Sequence, residues 1–492
     1  MTGGDTSSAN LNEYRGRGGG ILNEGGIVTL NNSTITGNKS DSGGGIFNDQ
    51  GTVTLNNSAV TDNISNEIDT AYDDEGGGGI FNYQGTVTLN NSAVTGNFAG
   101  INGGGIYSYG GTMTLNNSTV NDNIADSEIL GGDPYGGGIY NRYSTITLNN
   151  SSVSGNSARS AGGIYNLGAS ATLTLSNSTV SGNTATSEKG GGIAIGYGST
   201  VTLDNSTVSG NYAFWGGGGI FIYSSYNTLT LNNSTVSGNT ADDGGGIYVY
   251  YRSSSTITLN RSVISGNDAT RGAEIYNGIY YNNGDENIIG NNYNVIGYGG
   301  KARSHGFTPT TVPYGGTDVI PTEEYLNEVL LGLADNGGPT LTHALADGSP
   351  AIDLIPNTDD ACDPGESTDQ RGAVRADGIN RGGSACDAGA FEYASTPPAV
   401  PAIVSTPVTA VHTQQPYQYV VQATGYPTPT FSLTTFPAGM TIDAGSGLIS
   451  WTPDHDGVFP VKVEASSSAG TAVQNFDIIV SNYTVFLPVI IR

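Results

Sequence analysis

The residues in this sequence that could bind a metal ion are acids in two long loops. Residues 64–75 and 124–135 together contain eight Asp or Glu residues. Carboxylate oxygens are the ligands that calcium prefers, so these acids could hold this ion. A loop of solvated charges is the simpler interpretation, and we predict no cofactor, with calcium as the single candidate for a structural ion. The calcium candidates are Asp73, Asp74, Glu75, Asp126 and Asp133.

Residue combinations that perform catalysis are missing from the sequence. It contains no Ser-His-Asp order, Cys-His pair, phosphate-binding loop or zinc-ligand spacing. Polysaccharide lyases and hydrolases need clustered carboxylates, often beside Arg or Lys, and the repeated segments offer none. We predict that the protein is not an enzyme, and a polysaccharide lyase or hydrolase stays the alternative. The histidines are His305, His343, His412 and His455.

The two cysteines of the chain are Cys362 and Cys386. Two thiols could form part of a metal site, but no histidine lies near either of them in the sequence. We therefore predict a disulfide, which implies an oxidising compartment outside the cytoplasm. Closing a loop of this size would stabilise the fold by about 3 to 4 kcal/mol if the bond is unstrained.

The charge of the chain argues against two classes of partner. With 43 acidic and 16 basic residues the net charge is -27, so nucleic acid and anionic lipid surfaces would be repelled. No run of residues approaches the ~18 apolar positions of a membrane span, and we predict no transmembrane segment. The first ten residues lack a signal-peptide pattern, so we expect either that export needs nothing here or that the true amino terminus is missing.

The elements that must position these residues come from a repeat of 25 to 34 residues. Each copy contains GGGI or a variant of it, followed by a phrase such as TVTLNNSTVSGN. Apolar residues two apart share one face of a strand, but the next apolar residue, five positions on, can face the same interior only after a turn. The turn must fall at Asn-Asn-Ser. We predict an all-β fold, a right-handed parallel β-helix of ten or more rungs with three short strands per rung.

Two columns of asparagine mark the corners of the predicted coil. Amides of the first column, which follows the second strand, could bond along the rod as a structural ladder. The second column runs from Asn38 to Asn267 at the end of the third strand. Most of its members follow glycine, so we expect them to shape the turn. The predicted ladder consists of Asn32, Asn57, Asn91, Asn117, Asn150, Asn177, Asn205 and Asn233.

Two outer faces of the predicted rod could bind a partner. Paired threonines repeat along the second strand, from Thr52 and Thr54 to Thr256 and Thr258. Such rows resemble those of ice-binding solenoids, although threonine is also simply common on exposed strands. A group of tyrosines beside the first strand could stack on sugar rings or stabilise the sheet. These are Tyr223, Tyr226, Tyr248, Tyr250 and Tyr251.

A different kind of sequence follows the repeats. Residues 333–393 contain the phrases DNGGPT, GSPAID, DQRG and GAFEY, and they closely resemble the terminal module of bacterial choice-of-anchor surface proteins. The repeats resemble, more loosely, those of polymorphic outer-membrane and adhesin-like proteins. The resemblance implies that this module closes the β-helix and that the domains after it vary with the mode of surface attachment.

The chain after this module contains alternating strands and turns typical of a β-sandwich. The phrase SGLISWTP, with Trp451 as an expected core residue, resembles immunoglobulin-like domains of bacterial surface proteins. The apolar tail could be a last sandwich strand, an export or anchoring tag, or a strand donated to a neighbour. The predicted domains are a β-helix at 1–332, a capping module with a disulfide at 333–394, a linker at 395–402, an immunoglobulin-like sandwich at 403–481 and the tail at 482–492.

Together these features predict an extracellular structural or adhesive protein of the bacterial cell surface. Nothing before the first repeat resembles a cap, and an open strand edge invites pairing, so we expect head-to-tail assembly into filaments. The expected partners are other copies of the chain or surface glycans. The alternatives are a glycan-binding adhesin, a lyase-like or hydrolase-like β-helix and an ice-binding solenoid.

Overall fold

The structure is a computed structural model of the chain. The chain divides into two compact units, Met1–Ser395 and Thr396–Arg492. The described residues are 4, 16–66, 75–127, 134–250, 255–277, 287–290, 292–297, 317–321, 329–362, 367–375, 385–393, 399–426, 428–467 and 469–482.

The first unit contains a parallel β-helix, as the repeat predicted. Its first sheet consists of ten strands in sequence order, and each strand defines one rung, numbered 1 to 10. Isoleucine begins every one of these strands because its β-branched side chain suits a buried strand position. The strands are Ile21–Glu24, Ile46–Asp49, Ile80–Tyr83, Ile106–Tyr109, Ile139–Arg142, Ile164–Leu167, Ile193–Gly196, Ile220–Tyr223, Ile247–Val249 and Ile275–Asn277.

The second sheet has the longest strands of the rod and also contains ten of them. Its alternating sequence places the apolar residues inside and the threonines outside. The strands are Ile27–Asn31, Thr52–Asn56, Thr86–Asn90, Thr112–Asn116, Thr145–Asn149, Thr172–Ser176, Thr200–Asp204, Thr228–Asn232, Thr256–Asn260 and Asn287–Ile289.

The third sheet is built from ten strands of two or three residues, each with one apolar residue facing inward. They are Thr34–Thr36, Ala59–Thr61, Ala93–Thr95, Thr119–Asn121, Ser152–Ser154, Thr179–Ser181, Thr207–Ser209, Thr235–Ser237, Val263–Ile264 and Val295–Ile296.

A fourth sheet of nine short strands lies in the corner of variable length, where the sequence predicted none. Most of these strands have two residues, which is too short for alternation to be seen in the sequence. They are Lys39–Ser40, Ile64–Ser65, Phe98–Ala99, Ile124–Ala125, Ser157–Ala158, Thr184–Ala185, Tyr212–Ala213, Thr240–Asp243 and Asp268–Arg271.

The interior of the rod is one continuous apolar cluster from Ile35 to Ile296. Strands pair in strict register, so that Ile106 lies over Ile80 and under Ile139. Ile106, Leu115 and Val120 are fully buried, which confirms the predicted inward columns. Burying each such side chain contributes about 1.5 to 3 kcal/mol, and repetition over the rungs makes this the main stabilising term.

The two asparagine columns exchange the roles that the sequence suggested. The column predicted as a ladder, from Asn32 to Asn233, takes left-handed backbone angles of 45° to 50° and shapes the corner. The column from Asn38 to Asn267 is buried and forms the ladder, with amide-to-amide distances of 2.8 to 3.0 Å. Preceding glycines such as Gly96 adopt the positive φ that its turn requires, which frees the amide to point inward.

The module after the repeats lies on the side of the rod, and this corrects its predicted place as a cap. Its strands Leu330–Ala334 and Thr342–Leu345 pair antiparallel, and a short 3-10 helix follows at Asp360–Cys362. Described contacts between module and rod run along the outer face of the third sheet. Thr207 Oγ1 donates a hydrogen bond to Gln370 Oε1 at 2.6 Å, and Gln370 Nε2 donates to Thr179 Oγ1 at 2.8 Å.

Hydroxyl groups of the third sheet contact the module. Thr179, Thr207 and Thr235 are at most 1% exposed beneath it, and Thr235 Oγ1 accepts a hydrogen bond from the backbone of Ala390 at 3.0 Å. Buried hydroxyls need such partners.

The predicted disulfide between Cys362 and Cys386 is confirmed, with a Cα–Cα distance of 5.6 Å. Both cysteines are fully buried beside Ile355. Arg375 is also fully buried in the module, where it donates to the carbonyl groups of Asp387 and Gly389. The module is therefore held by specific bonds rather than by a repeat.

The second unit is a β-sandwich around a core that includes Trp451, Tyr417 and Phe431. The indole of Trp451 donates a hydrogen bond to the carbonyl of Ala438 at 3.2 Å, as expected for a core residue. Residues 399–402 were predicted to be linker, but they belong to a strand because their backbone pairs with 423–426. Residues 483–492 of the predicted tail lie outside the described residues. The strands are Ala399–Ile403, Ala410–Val411, Tyr417–Val420, Ala423–Tyr426, Thr430–Thr435, Thr441–Ile442, Leu448–Trp451, Gly457–Ser467 and Gly470–Val480.

Candidate functional site

The outer face of the first sheet carries a ladder of aromatic rings. On most rungs the residue after the first-strand isoleucine is Phe or Tyr, and in-register pairing places these rings over one another. Centroids of neighbouring rings on rungs 2 to 6 lie 4.6 to 5.5 Å apart. Such contacts stabilise the rod beyond simple burial. The rings of these rungs are Phe47, Phe81, Tyr107, Tyr140 and Tyr165.

The ladder is interrupted on rung 7, where Ala194 stands in place of a ring. Ala194 pairs with Tyr165 on one side and with Phe221 on the other. The next outward position of the same strand is Gly196, whose neighbours are Leu167 and Tyr223. Rung 7 therefore has no large side chain at two consecutive outer positions, but this vacancy is closed, because Ala194 is 1% exposed and Gly196 is also buried. An open space lies over the neighbouring rings of rungs 5, 6 and 8, and we call it the rung 7 cleft.

The rung 7 cleft has a volume of about 610 Å³ and is open to solvent. Its walls are largely aromatic, since Tyr140 and Tyr165 line one end and Phe221 and Tyr223 line the other. Tyr197 lies at its rim and is 55% exposed. A concave, mainly apolar surface with a few polar groups is typical of a ligand-binding site.

Two cationic side chains line the cleft. The ammonium of Lys189 lies 4.0 Å from the ring centroid of Trp215, 4.7 Å from that of Tyr250 and 5.4 Å from that of Phe221. Burial lowers the pKa of Lys189 from its ordinary value, and the nearby charge of Glu188 opposes this shift. A half-buried ammonium held against ring faces is attracted by their π electrons.

Arg142 supplies the second cation, on rung 5. Its guanidinium carbon lies 5.6 Å from the ring centroids of both Tyr109 and Tyr143. Stacking on rings orients the plane of the guanidinium and directs its donors outward from their edges. The cleft thus has a cation towards each end.

The hydroxyl groups of Tyr165 and Tyr223 stay protonated at neutral pH. Burial, with smaller effects from Tyr140 and Tyr135, raises the pKa of Tyr165 well above its ordinary value. A hydrogen bond with Tyr197 raises the pKa of Tyr223. These groups can donate hydrogen bonds to a ligand but cannot serve as bases near neutral pH.

The composition of the cleft favours binding over hydrolysis. Of the described residues that line it, Glu188 is the only carboxylic acid. Glycoside hydrolysis ordinarily uses a pair of carboxyl groups on either side of the scissile bond. The described lining of the cleft therefore does not contain such a pair of carboxyl groups.

Two further outer faces differ from the aromatic one. The outward threonines of the second sheet stack in register from Thr52 to Thr258 and are partly exposed on most rungs. The third sheet is bare on its first rungs, where a groove of about 470 Å³ runs past Ala59 and Ala93. Both faces are regular and uncharged.

The calcium candidates do not assemble into a described site. Glu75 is 5% exposed and Asp126 lies at the surface on a different rung. Asp73, Asp74 and Asp133 lie outside the described residues. Within the described ranges no group of three potential metal ligands is found.

The predicted tyrosine group is divided by the structure. Tyr223, Tyr248 and Tyr250 belong to the aromatic cluster of the first sheet. Tyr226 is 76% exposed beside it, and Tyr251 lies outside the described residues. Sequence reasoning missed the vacancy itself, although a signal was available, since Ala194 follows GGGI where its neighbours carry Tyr165 and Phe221.

Two family descriptions match the chain. "Right handed beta helix region" matches residues 104–294, and "Putative Ig domain" matches residues 400–481. These matches and the structure confirm the predicted fold class, a right-handed parallel β-helix followed by an immunoglobulin-like domain. These two domain types, together with the disulfide, indicate an extracellular or surface protein.

Three solved structures are similar to short parts of the chain. Two from Bacteroides fragilis, described as a "putative alpha-galactosidase" and a "putative alpha-galactosidase/melibiase", are 22% and 21% identical over 17% of this chain, with TM-scores of 0.16. This chain covers 18% of the length of each. Titin domain M7 is 20% identical over 17% of this chain and 95% of its own, with a TM-score of 0.15. At such TM-scores none of them informs the activity of this protein.

No curated protein sequence matches the chain. Among the described residues, no helix has the length and apolar character needed to cross a membrane.

Proposed function

We propose that this protein is an extracellular adhesive surface protein that binds glycans in the rung 7 cleft. The observation that carries the proposal is an open cleft of about 610 Å³ whose walls are largely aromatic. Tyr165, Phe221 and Tyr223 line it, and Tyr197 at its rim is 55% exposed.

The size of the cleft suits a sugar. Its volume of about 610 Å³ falls within the range of ordinary small-molecule binding sites. The C–H faces of a pyranose pack against aromatic faces, and its hydroxyl groups would meet the hydroxyls of Tyr165, Tyr197 and Tyr223.

Surface attachment is the second part of this proposal. The resemblance of residues 333–393 to the choice-of-anchor module supports it, as does the disulfide within that module. Such a protein would hold the rod outside the cell, where the outer face of its first sheet meets glycans of other cells or of the matrix.

The test is binding to an immobilised glycan array with two variants of the full chain. Tyr197→Ala removes an exposed ring that lines the cleft, so we expect it to lower binding at least tenfold. Tyr226→Ala is the matched control, because Tyr226 is 76% exposed and is not among the described lining residues, and we expect unchanged binding. A wild-type protein that binds no glycan, or a Tyr197→Ala protein that binds as well as wild type, would disprove the proposal.

Filament assembly and ice binding stay predictions from the sequence. Electron microscopy of concentrated protein tests the first, and thermal hysteresis measurements test the second.

A further inference from the structure

We infer that the rung 7 cleft binds a glycan whose sugars are joined through equatorial bonds into an extended ribbon, such as a β-1,4-linked chain, lying parallel to the rod axis. This inference rests on the proposed glycan-binding function and adds the class of linkage that the cleft selects. It starts from two exposed tyrosines, Tyr143 and Tyr197, at one corner of the coil.

The corner between the first and second sheets takes a positive φ on every rung from 1 to 8. Tyrosine occupies this position on rungs 5 and 7, with φ angles of 59° and 57°, and glycine, glutamine or serine occupies it on the other rungs. A bulky side chain is unfavourable in this backbone region, whereas glycine adopts it freely. The corner residues are Gly25, Gln50, Gln84, Gly110, Tyr143, Gly168, Tyr197 and Ser224.

Burial does not explain the choice of tyrosine at this corner. Tyr143 is 44% exposed and Tyr197 is 55% exposed, and both line the cleft. Locally unfavourable backbone conformations are concentrated at ligand-binding sites, where the side chain serves the ligand rather than the fold. We therefore assign these two rings as platforms on which sugar rings stack.

Neighbouring rings hold both platforms in place. The ring of Tyr143 meets that of Tyr109 edge to face, with a centroid distance of 5.9 Å. The ring of Tyr197 meets that of Tyr223 in the same way at 5.7 Å, and a side-chain hydrogen bond joins this pair. Because the rings are fixed before a ligand arrives, they lose little conformational freedom on binding.

Small residues form the corner between the two platforms. Gly168 and Ala169 of rung 6 lie there, and both line the cleft. A Cβ atom at Gly168 would lie 2.3 Å from ring carbons of Tyr143, so a larger residue here would displace that ring. Glycine thus lets Tyr143 lie against the backbone of rung 6 and leaves no bulky side chain between the platforms.

The spacing of the platforms matches a ribbon-shaped glycan. The backbones of Tyr143 and Tyr197 lie two rungs apart, about 10 Å at ~4.8 Å per rung. In a chain of pyranoses joined through equatorial bonds, each ring is turned over relative to the one before it, so every second ring presents the same face. The two-ring repeat of such a chain is close to two rungs of the rod. A trisaccharide can therefore place its first and third rings on the two platforms, whereas α-1,4-linked and β-1,3-linked chains curve away from the second.

The experiment measures the affinity of the full chain for oligosaccharides by isothermal titration calorimetry. The ribbon probes are the β-1,4-linked dimers, trimers and hexamers of glucose, N-acetylglucosamine, mannose and xylose. We expect at least one ribbon to bind, with at least tenfold higher affinity for its trimer than for its dimer, because only the trimer reaches both platforms. An α-1,4-linked or β-1,3-linked glucose hexamer that binds as tightly as the best ribbon would overturn the inference.

Two glycine variants locate the platforms. Tyr143→Gly removes one of them and installs the residue that rungs 1, 4 and 6 already use at this corner, so we expect normal folding. Its affinity for the trimer should fall to that for the dimer. Gln84→Gly is the matched control, because Gln84 is exposed at the same corner on rung 3 and is not among the described lining residues. We expect it to keep the wild-type gain from dimer to trimer.

The outcomes separate this inference from the proposed function. An array that shows binding only to glycans without equatorially linked runs, lowered by Tyr197→Ala, would overturn the inference and leave glycan binding intact. An array that shows no bound glycan would overturn both. A ribbon that binds with no gain from dimer to trimer would also overturn the inference, and this measurement needs no variant.

Discussion

The interior of the rod and its outer faces share the same strands but differ in how much they vary from rung to rung. Inside, the columns that contain Ile106, Leu115 and Val120 change only among aliphatic residues of similar size. Methionine occurs in another inward column, where Met113 stacks between Val87 and Ile146. Outside, the first sheet passes from rings to alanine within one rung at Ala194. The inside must fill a space of constant cross-section, whereas the outside is free to change.

This difference teaches where to look for function in a repetitive fold. An interior residue must match its neighbours above and below, because a change of one methylene is felt in a packed core. An outer residue has only its neighbours on the sheet to satisfy. A break in an outer column, such as that at Ala194 and Gly196, is therefore tolerated more easily than a break inside the rod.

The largest expected effect comes from the interior amide ladder. The side chain of Asn123 makes four hydrogen bonds, two accepted from Asn97 and one donated to each of Val94 and Asn156. Asn123→Ala would remove all four from the buried ladder and leave the backbone N–H of Asn97 without its acceptor. We expect a loss of about 3 to 5 kcal/mol in the free energy of unfolding, measured by urea denaturation.

The control for Asn123→Ala is a substitution in a second row of amides, which lies at the end of the second strand and includes Asn90, Asn116 and Asn149. Asn116 donates to Asn90 and accepts from Asn149 at 2.9 Å each, on a partly exposed face. Water can replace these bonds, so Asn116→Ala should cost only about 0.5 to 1 kcal/mol. Equal costs for the two variants would show that inside and outside are not distinct in the way described.

A smaller effect on stability distinguishes the outer face of the first sheet from that of the second sheet. Tyr107 is fully buried between Phe81 and Tyr140, with centroid distances of 4.6 and 4.8 Å. Tyr107→Ala would open a second vacancy and should cost about 3 kcal/mol, near the lower limit for a large aromatic residue because solvent can enter. Thr114→Ala, on the second sheet of the same rung, should change stability by less than about 0.5 kcal/mol. Thermal unfolding of both variants measures the difference.

The smallest expected effect is a difference between the rod and the module in how their stability depends on pH. His343 binds Ser209 of the rod at 2.7 Å, and burial lowers the pKa of this histidine, opposed by its bond to the carbonyl of Leu331. The pKa of His343 is lower in the folded state than its ordinary value of 6.5. This histidine therefore makes its full contribution to stability above pH 6.5, and the contribution is lost as the pH falls below that value. We expect faster proteolysis of the module at pH 5.5 than at pH 7.

Asp387 of the module changes stability with pH in the direction opposite to that of His343. Burial raises its pKa to about 6, so its contribution is present at low pH and is lost as the pH rises through 6. His343→Gln isolates the histidine, and this variant should lose the acid sensitivity that wild type shows. The rod contains no histidine and serves as the internal control. Acid sensitivity that persists in His343→Gln would contradict the assignment.

Much of the rod could be predicted because its signal is local and repeated. The alternation around Leu115 and the fixed spacing to Val120 allow one arrangement of strands and turns. The roles of Asn32 and Asn38 could not be separated in this way. Both are asparagines at corners, and only backbone geometry shows which of them turns the chain and which points its amide inward.

The place of the module and the cleft could not be read from local sequence at all. Gln370 meets Thr207 across 163 residues of chain, and no pattern near either residue indicates the other. The cleft likewise depends on Lys189, Trp215 and Tyr250, which come from three successive rungs. Each of these residues has an ordinary sequence environment.

The sequence by itself determined the coil, its inward columns and the disulfide partners, because alternation, fixed spacing and a single pair of cysteines leave little choice. Only the tertiary structure decided which outer side chains of neighbouring rungs lie against one another. The cleft forms because parallel strands in register bring Tyr165 of rung 6 and Phe221 and Tyr223 of rung 8 to the same outer face. That arrangement is a property of neighbouring rungs, and no single repeat contains it.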